Sequence, residues 1–297
     1  MVIASAMQPI WRFMVENNTQ LKEMIRSMVI DLLQGQKQEA ASSQPVKQAP
    51  RGQVEPGVFD TVDDAIQAAK AAQARFEDCT LATREKVIAD IRAAMRPRVQ
   101  ELAQKTVEET GMGRVADKVL KLNLTLDKTP GVEDLVTECE TGDNGMTLYE
   151  LSAYGVIGAI TPSTNPAETL ICNTIGMLAA GNAVFFSVHP GAKHLSRLLV
   201  SELNQIIAKS IGIENLIVTL REPSIESAQE MMLHPDVSLL VVTGGPGVVK
   251  QALQSGKKVI GAGAGNPPAF VDETADIKKA AQDIVLLSLI HISEPTR

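Results

Sequence analysis

Residues 155–187 read GVIGAITPSTNPAETLICNTIGMLAAGNAVFFS, and this stretch decides the fold. GVIGAIT (155–161) is apolar without alternation, as a strand buried on both faces should be. Pro162 and Pro166 bound an irregular turn, since proline has no N–H to give to a ladder. Over about 165–180 the apolar residues recur at helical spacing, and Gly181–Asn182 ends the helix. AVFFS (183–187) is a second apolar strand. The alternation continues with LIVT (216–219), SLLVVT (238–243) and KVI (258–260), separated by predicted helices over 192–211, 224–233 and 246–255. Strand–helix–strand repeats with fully apolar strands specify an α/β fold, a doubly wound parallel sheet covered on both faces. Ligands of such sheets sit at the carboxyl ends of the strands.

Upstream, Phe59 to Gly131 reads as helical. TVDDAIQAAKAAQARF opens on a threonine cap with acids in the first turn, which suits the free N–H groups and the helix dipole. TREKVIADIRAAMRPRVQELAQKTVEETG repeats the pattern, with Thr83 as the expected N-cap, Pro97 as a break and Gly111 as the stop. Further upstream, Leu21, Met24, Ile25, Met28, Val29, Leu32 and Leu33 fall on one helical face. The Gln/Ala/Ser/Pro-rich run after Leu33 is a flexible tether of about twenty residues. So short a helix cannot bury its own stripe. It docks either on its own main domain or, as the tether favours, on a partner surface. Its polar face is not rich in Lys/Arg, which argues against a membrane surface. The chain divides into an amphipathic helix region (1–35), a linker (36–57), the α/β domain with its N-terminal helices (58–286) and a separate tail (287–297).

Composition narrows the function classes. With 28 basic and 35 acidic residues the net charge is −7, which argues against sequence-independent nucleic-acid binding. Three widely spaced cysteines, Cys79, Cys139 and Cys172, make no disulfide framework, so a reducing cytoplasm is expected. No apolar run reaches the roughly 18–20 residues of a spanning helix. The histidines His189, His194 and His234 lack metal-ligand spacing, and no metal site is expected.

Candidate chemistry clusters where strands end. VVTGGPGVV places Gly244, Gly245 and Gly247 between the strand 238–243 and the next helix, where small residues let a phosphate approach backbone N–H groups. A plain turn is the other reading. GAGAGNPP (261–268) is glycine-rich, but Pro267 and Pro268 forbid a helix directly after it, so it is no dinucleotide fingerprint. Asn165 stands at a strand end beside a helix start, where its amide can donate to a developing oxyanion or simply cap the helix before Pro166. Cys172, within LICNTIGMLAA, is expected to be a buried small hydrophobe. Cys79 and Cys139 fall in helix-end and loop settings.

Taken together, ETGMGRVADK (109–118), TPGVE (129–133), TGDNG (141–145), ITPSTNP (160–166), SVHPGAK (187–193), LLVVTGG (239–245) and GAGAGNPPAFVDETAD (261–276) carry a specific likeness. Over about Val58 to Leu286 the chain resembles the NAD-dependent aldehyde dehydrogenase superfamily. The wording is that of its CoA-acylating branch, which oxidises acetaldehyde or propionaldehyde inside bacterial microcompartments. The resemblance implies NAD as cofactor, coenzyme A as co-substrate and homo-oligomers. Asn165 matches the family's oxyanion-hole asparagine, which stabilises the alkoxide of a cysteine thiohemiacetal. Thr161 and Ser163 match the stretch beside the nicotinamide ribose. His189 stands where hydrolytic members carry an adenosine-ribose lysine. Thr243, Gly244 and Gly245 match the turn whose following helix faces the pyrophosphate, and Gly263 a backbone group at the nicotinamide. Ala262 replaces the glutamate that serves hydrolytic members as base for water, which favours an incoming thiolate such as CoA. The Leu21–Leu33 helix and its tether resemble an encapsulation peptide that docks on a shell protein.

The family's nucleophilic cysteine follows GAGAGNPP by a few dozen residues, and none of the three cysteines stands there. The resemblance therefore implies that most of the catalytic domain is missing and that the chain alone is inactive. The last eleven residues, LSLIHISEPTR (287–297), resemble one translated frame of a transposase adapter used in sequencing libraries. The natural sequence is expected to leave the given one at Leu286. A non-catalytic nucleotide-binding, shell-docking module is the alternative, and a reductase of acyl phosphates is disfavoured by STNP and GAGAGNPP. Sequencing the locus across the 286/287 junction is expected to show a different continuation that contains a cysteine. Finding LSLIHISEPTR genomically encoded refutes the adapter origin, and an early stop codon selects the binding module.

Overall fold

The computed structural model describes residues 55–263 and 270–282. The expected Leu21–Leu33 helix, its tether, the 264–269 part of GAGAGNPP and the tail lie outside the described residues. The described chain begins with a short strand, β1 (Val58–Phe59), followed by four helices: α1 (Val62–Glu77), α2 (Leu81–Met95), α3 (Val99–Thr110) and α4 (Val115–Lys128). An antiparallel hairpin, β2 (Glu138–Gly142) and β3 (Gly145–Tyr149), leads into the alternating part. There β4 (Val156–Ile160), α5 (Pro166–Ala179), β5 (Ala183–Ser187), α6 (Lys193–Ile211) and β6 (Ile217–Leu220) come first. They are followed by α7 (Ile225–Leu233), β7 (Val237–Thr243), α8 (Pro246–Gln254) and β8 (Lys258–Ala262).

Six strands form one parallel sheet in the order β1-β6-β5-β4-β7-β8. From β4 the chain winds outward through β5 and β6, then returns across β4 to β7 and winds the other way. β4 and β7 therefore flank the point where strand order reverses, the place where open α/β sheets bind ligands. Right-handed crossovers put α5 and α6 on one face and α7 and α8 on the other. α1 lies across β4, β5 and β6 and touches α7, whereas α2, α3 and α4 pack on α5 and α6. Every residue of β4, β5 and β6 is buried, which is why these strands are apolar without alternation. Gly158 in the middle of β4 allows α7 its close approach, since a Cβ there would lie 2.1 Å from Met231 Sδ.

Local chemistry sets the helix ends. Thr61 Oγ1 accepts from Asp64 N at 3.2 Å and starts α1. α2 begins earlier than expected: Thr80 is its cap, its Oγ1 accepting from Thr83 N at 3.2 Å, so Thr83 is helical rather than the cap. Pro97 splits α2 from α3 through a 3₁₀ turn (Arg96–Arg98), and Gly111 closes α3 at φ 67°. The β2–β3 hairpin stands apart from the sheet, with all ten of its residues exposed. Cys139 lies within β2 rather than in a loop.

The crossover from β4 to β5 is locked by one side chain. Asn182, 2% exposed, accepts on Oδ1 from Tyr154 N (2.6 Å) and Gly155 N (3.1 Å) and donates from Nδ2 to Met177 O (3.2 Å). It joins the start of β4 to the end of α5. Removing it takes the acceptor from two part-buried amide donors, and a donor left unsatisfied costs about 1–3 kcal/mol. Asn182→Ala is expected to lower the unfolding free energy by about 2–4 kcal/mol in urea titration. A loss under about 1 kcal/mol would show that water replaces the amide.

Candidate active site

Every site residue expected from the sequence comes to one end of the sheet. Thr161 directly follows β4, Ser163 and Asn165 lie in the turn before α5, and His189 follows β5. Thr243 ends β7, Gly244 and Gly245 lead into α8, and Gly263 follows β8. These are the carboxyl ends of four parallel strands, grouped around the β4/β7 reversal.

Thr161 is 2% exposed; its N–H donates to Ser187 O at 3.1 Å, while its hydroxyl is buried without a hydrogen-bond partner. Gly244 N donates to Ala262 O at 3.3 Å, tying the β7 turn to β8. Gly245 is the N-cap residue of α8 and provides no side-chain cap, and Pro246 has no N–H of its own. A Cβ at Gly247 or Gly263 would meet nothing within 4 Å. The positive end of α8 is thus uncapped and uncrowded. The start of α6 is filled instead: Glu109 accepts from His194 N (2.8 Å) and Leu195 N (2.7 Å). His189 is exposed, and its Nδ1 accepts from Gly191 N at 3.0 Å.

Asn165 precedes Pro166 but makes no side-chain cap bond, so capping does not account for it. Its Oδ1 accepts from Lys118 Nζ at 3.1 Å and Lys121 Nζ at 3.2 Å. With the amide oxygen engaged by two cations, Nδ2 is the end left to donate; its protein contact is a 3.4 Å approach to Thr164 Oγ1. Lys118 also donates to the Thr164 carbonyl and lies 3.4 Å from Glu168 Oε1, both side chains being almost wholly buried. Burial holds the Lys118 pKa below the usual lysine range; the Glu168 carboxylate works against this and Lys121 adds to it.

Lys118, Lys121, Glu168 and Glu109 escaped the sequence reading. A signal for Lys118 was present: it falls in the buried 118/122/126 register of α4, beside Leu122 and Leu126, where a lysine needs a partner. Cys172 departs from expectation: it is exposed on α5, not buried. Cys79 lies between α1 and α2, and Cys139 lies on the hairpin. No group of three or more potential metal ligands occurs among the described residues, and none of their helices is long and apolar enough to cross a membrane.

Residues 33–292 match the family model described as "Aldehyde dehydrogenase family". The chain is 49% identical over 269 residues to a CoA-propanoylating propanal dehydrogenase of Salmonella typhimurium, covering 91% of this chain and 56% of that protein. A propionaldehyde dehydrogenase from the fucose-utilisation bacterial microcompartment of Clostridium phytofermentans superposes with a TM-score of 0.75 at 51% identity, over 80% of this chain and 55% of that one. The Rhodopseudomonas palustris propionaldehyde dehydrogenase, solved with bound CoA and an acylated cysteine, gives 0.73 at 53%, over 78% and 53%. The chain thus spans about half the length of the curated relatives it matches.

The buried lysine has a pH signature. Unfolded, Lys118 titrates near about 10.4; folded, it releases its proton at lower pH. Between those two values the unfolded chain binds more protons, so this residue's contribution to stability rises with pH. Lys118→Met lacks that contribution. The unfolding free energy of the native chain minus that of the variant is expected to increase from neutral pH toward about 10. A difference flat with pH would show that the ammonium is not desolvated.

Proposed function

Since the chain belongs to the aldehyde dehydrogenase family, we propose that it serves the CoA-acylating oxidation of a short aldehyde, propionaldehyde or acetaldehyde. In the overall reaction aldehyde, NAD and CoA give acyl-CoA, NADH and a proton. The observation that carries this reading is the Asn165 amide, its oxygen held by Lys118 and Lys121 and its NH₂ left over at the ligand end of the sheet. There it donates to the oxygen of the aldehyde as a thiol adds to the carbonyl carbon, and stabilises the charge that develops.

The strand ends fit a dinucleotide. Thr161 holds a buried hydroxyl without a partner, the α8 start is uncapped, and Gly247 and Gly263 leave room for close approach. In this reading the α8 N-terminus and the Thr243–Gly245 turn receive the pyrophosphate. Thr161 and Ser163 flank the nicotinamide ribose, His189 meets the adenosine ribose, and Gly263 lies at the nicotinamide. NAD, when bound, supplies the two-electron acceptor for the hydride. Ala262 at the end of β8 offers no carboxylate to activate water, which leaves the thioester to a thiolate acceptor.

None of the three cysteines adjoins Asn165. Cys172, the nearest in sequence, lies two helical turns farther along α5, about 10 Å in axial rise. The uncapped α8 start, which needs no thiol to receive a dinucleotide, supports a second reading, a nucleotide-binding and docking module. In both readings Leu21–Leu33 docks on a microcompartment shell protein, a role supported by the microcompartment origin of the Clostridium relative. The exposed hairpin, with Met146, Leu148 and Tyr149 each at least half exposed, supports a homo-oligomer that covers it.

Gly247→Glu tests the cofactor end. A Cβ there meets nothing within 4 Å, and a carboxylate suits a helix start, so stability is expected to hold or rise. The same charge repels a pyrophosphate. By calorimetric titration NAD affinity is expected to fall at least tenfold; unchanged affinity would remove the dinucleotide from this helix.

A further inference from the structure

We propose that Lys118 is a positioning residue for Asn165: its buried ammonium, paired with Glu168 and joined by Lys121, fixes which end of the amide is offered at the carboxyl end of β4. The proposal deepens the oxyanion role given to Asn165 above and rests on it.

An asparagine amide has two ends of nearly equal shape, and only its partners decide which one faces outward. Ammonium groups donate and never accept, so two of them at 3.1 and 3.2 Å hold the oxygen end and no other. The same Lys118 ammonium donates to the carbonyl of Thr164, the residue before Asn165. One cation therefore grips both the main chain and the side chain of the turn. A positive charge on an amide oxygen also draws electron density from its nitrogen, which makes the NH₂ a stronger donor.

Such a cation must itself be held. Lys118 is 3% exposed, and an unpaired ammonium at that depth is strongly disfavoured. Glu168, in the first turn of α5, is buried with neither carboxylate oxygen hydrogen-bonded, and its counter-charge is the Lys118 ammonium at 3.4 Å. The aliphatic stem is confined too. A Cβ at Gly113 would lie 3.2 Å from Lys118 Cε, and Gly113 has φ +80°, a conformation that glycine adopts without strain. Cation, counter-ion and stem are thus fixed by α4, α5 and the turn before α4, and their common target is the Asn165 amide.

Side-chain NMR of the full chain, labelled with ¹⁵N at asparagine Nδ2, tests this. The Asn165 pair is assigned by its loss in Asn165→Ser. Lys118→Met is expected to shift the Asn165 NH₂ signals more than those of any other asparagine, and Lys121→Met to shift them less. Asn182 and Asn204, buried and hydrogen-bonded elsewhere, should stay in place and report an intact fold. If Lys118→Met moves those two as well, Glu168→Gln keeps the lysine and is read the same way. Asn165 signals unmoved in a folded variant would overturn the proposal. The oxyanion reading has its own arm: propionaldehyde added to the NAD-saturated native chain should shift Asn165 beyond the position it takes with NAD alone. A shift with the aldehyde but none with Lys118→Met or Glu168→Gln leaves that reading standing and removes the positioning role. A shift with Lys118→Met but none with the aldehyde removes the oxyanion role, and the proposal falls with it.

Discussion

Strand–helix–strand crossovers are right-handed, so a chain that winds from β4 to β5 and β6 and then returns to β7 must carry its later helices on the opposite face. α5 and α8 consequently leave adjacent strands in different directions, and a gap opens between them at the carboxyl ends of β4 and β7. The rest of the site depends on that divergence. It brings Thr161 and Asn165 to one wall and Thr243 to Gly245 to the other, although about eighty residues of chain separate them. Asn182 keeps the first wall in register by binding the start of β4 and the end of α5 through a single amide.

Helix ends at this edge are treated unequally, and the inequality has electrostatic content. Each helix start presents unpaired N–H groups and a partial positive charge. At α6 the Glu109 carboxylate already satisfies two of them. At α5, Pro166 removes one donor and the nearby Glu168 is paired with Lys118. α8 begins with glycine, proline and glycine and, like α5, has no capping side chain. An anion reaching this edge therefore meets one helix start already occupied by a carboxylate, at α6, and uncapped starts at α5 and α8.

Much of the architecture was legible because both faces of the sheet are covered at β4, β5 and β6, whereas β8 is largely exposed. That burial makes these strands largely apolar, and punctuation such as Pro162, Pro166 and Gly181–Asn182 bounds β4 and β5 within a residue or two. What escaped lacks such a signal. β1 is only two residues long, and its pairing with β6 is set by tertiary contact. β2 and β3 carry polar residues on both faces and pair across a two-residue Asp143–Asn144 loop, so neither looks like a core strand. Thr80 and Thr83 are both competent caps, and only the hydrogen bond from the Thr83 amide to the Thr80 hydroxyl separates them. Cys172 sits in an apolar helix, yet it shares an uncovered stripe with Gly176, which periodicity alone does not place. The expected residues at the strand ends followed from fold and resemblance, whereas Lys118 and Glu168 matter through a contact between α4 and α5 that sequence order conceals.

The ten-residue run ETGMGRVADK (109–118) carries a mechanical consequence. Its first residue grips the amides that open α6, beyond β5, and its last grips the Thr164–Asn165 turn, beyond β4. Between them lie Gly111 and Gly113, both at positive φ, which let the strap bend tightly from α3 into α4. The outer helical layer is thus pinned to two neighbouring strand ends by opposite charges on one short strap. A displacement of α3 or α4 pulls on both pins together, so these two stations along the crevice shift as a single rigid jaw rather than independently.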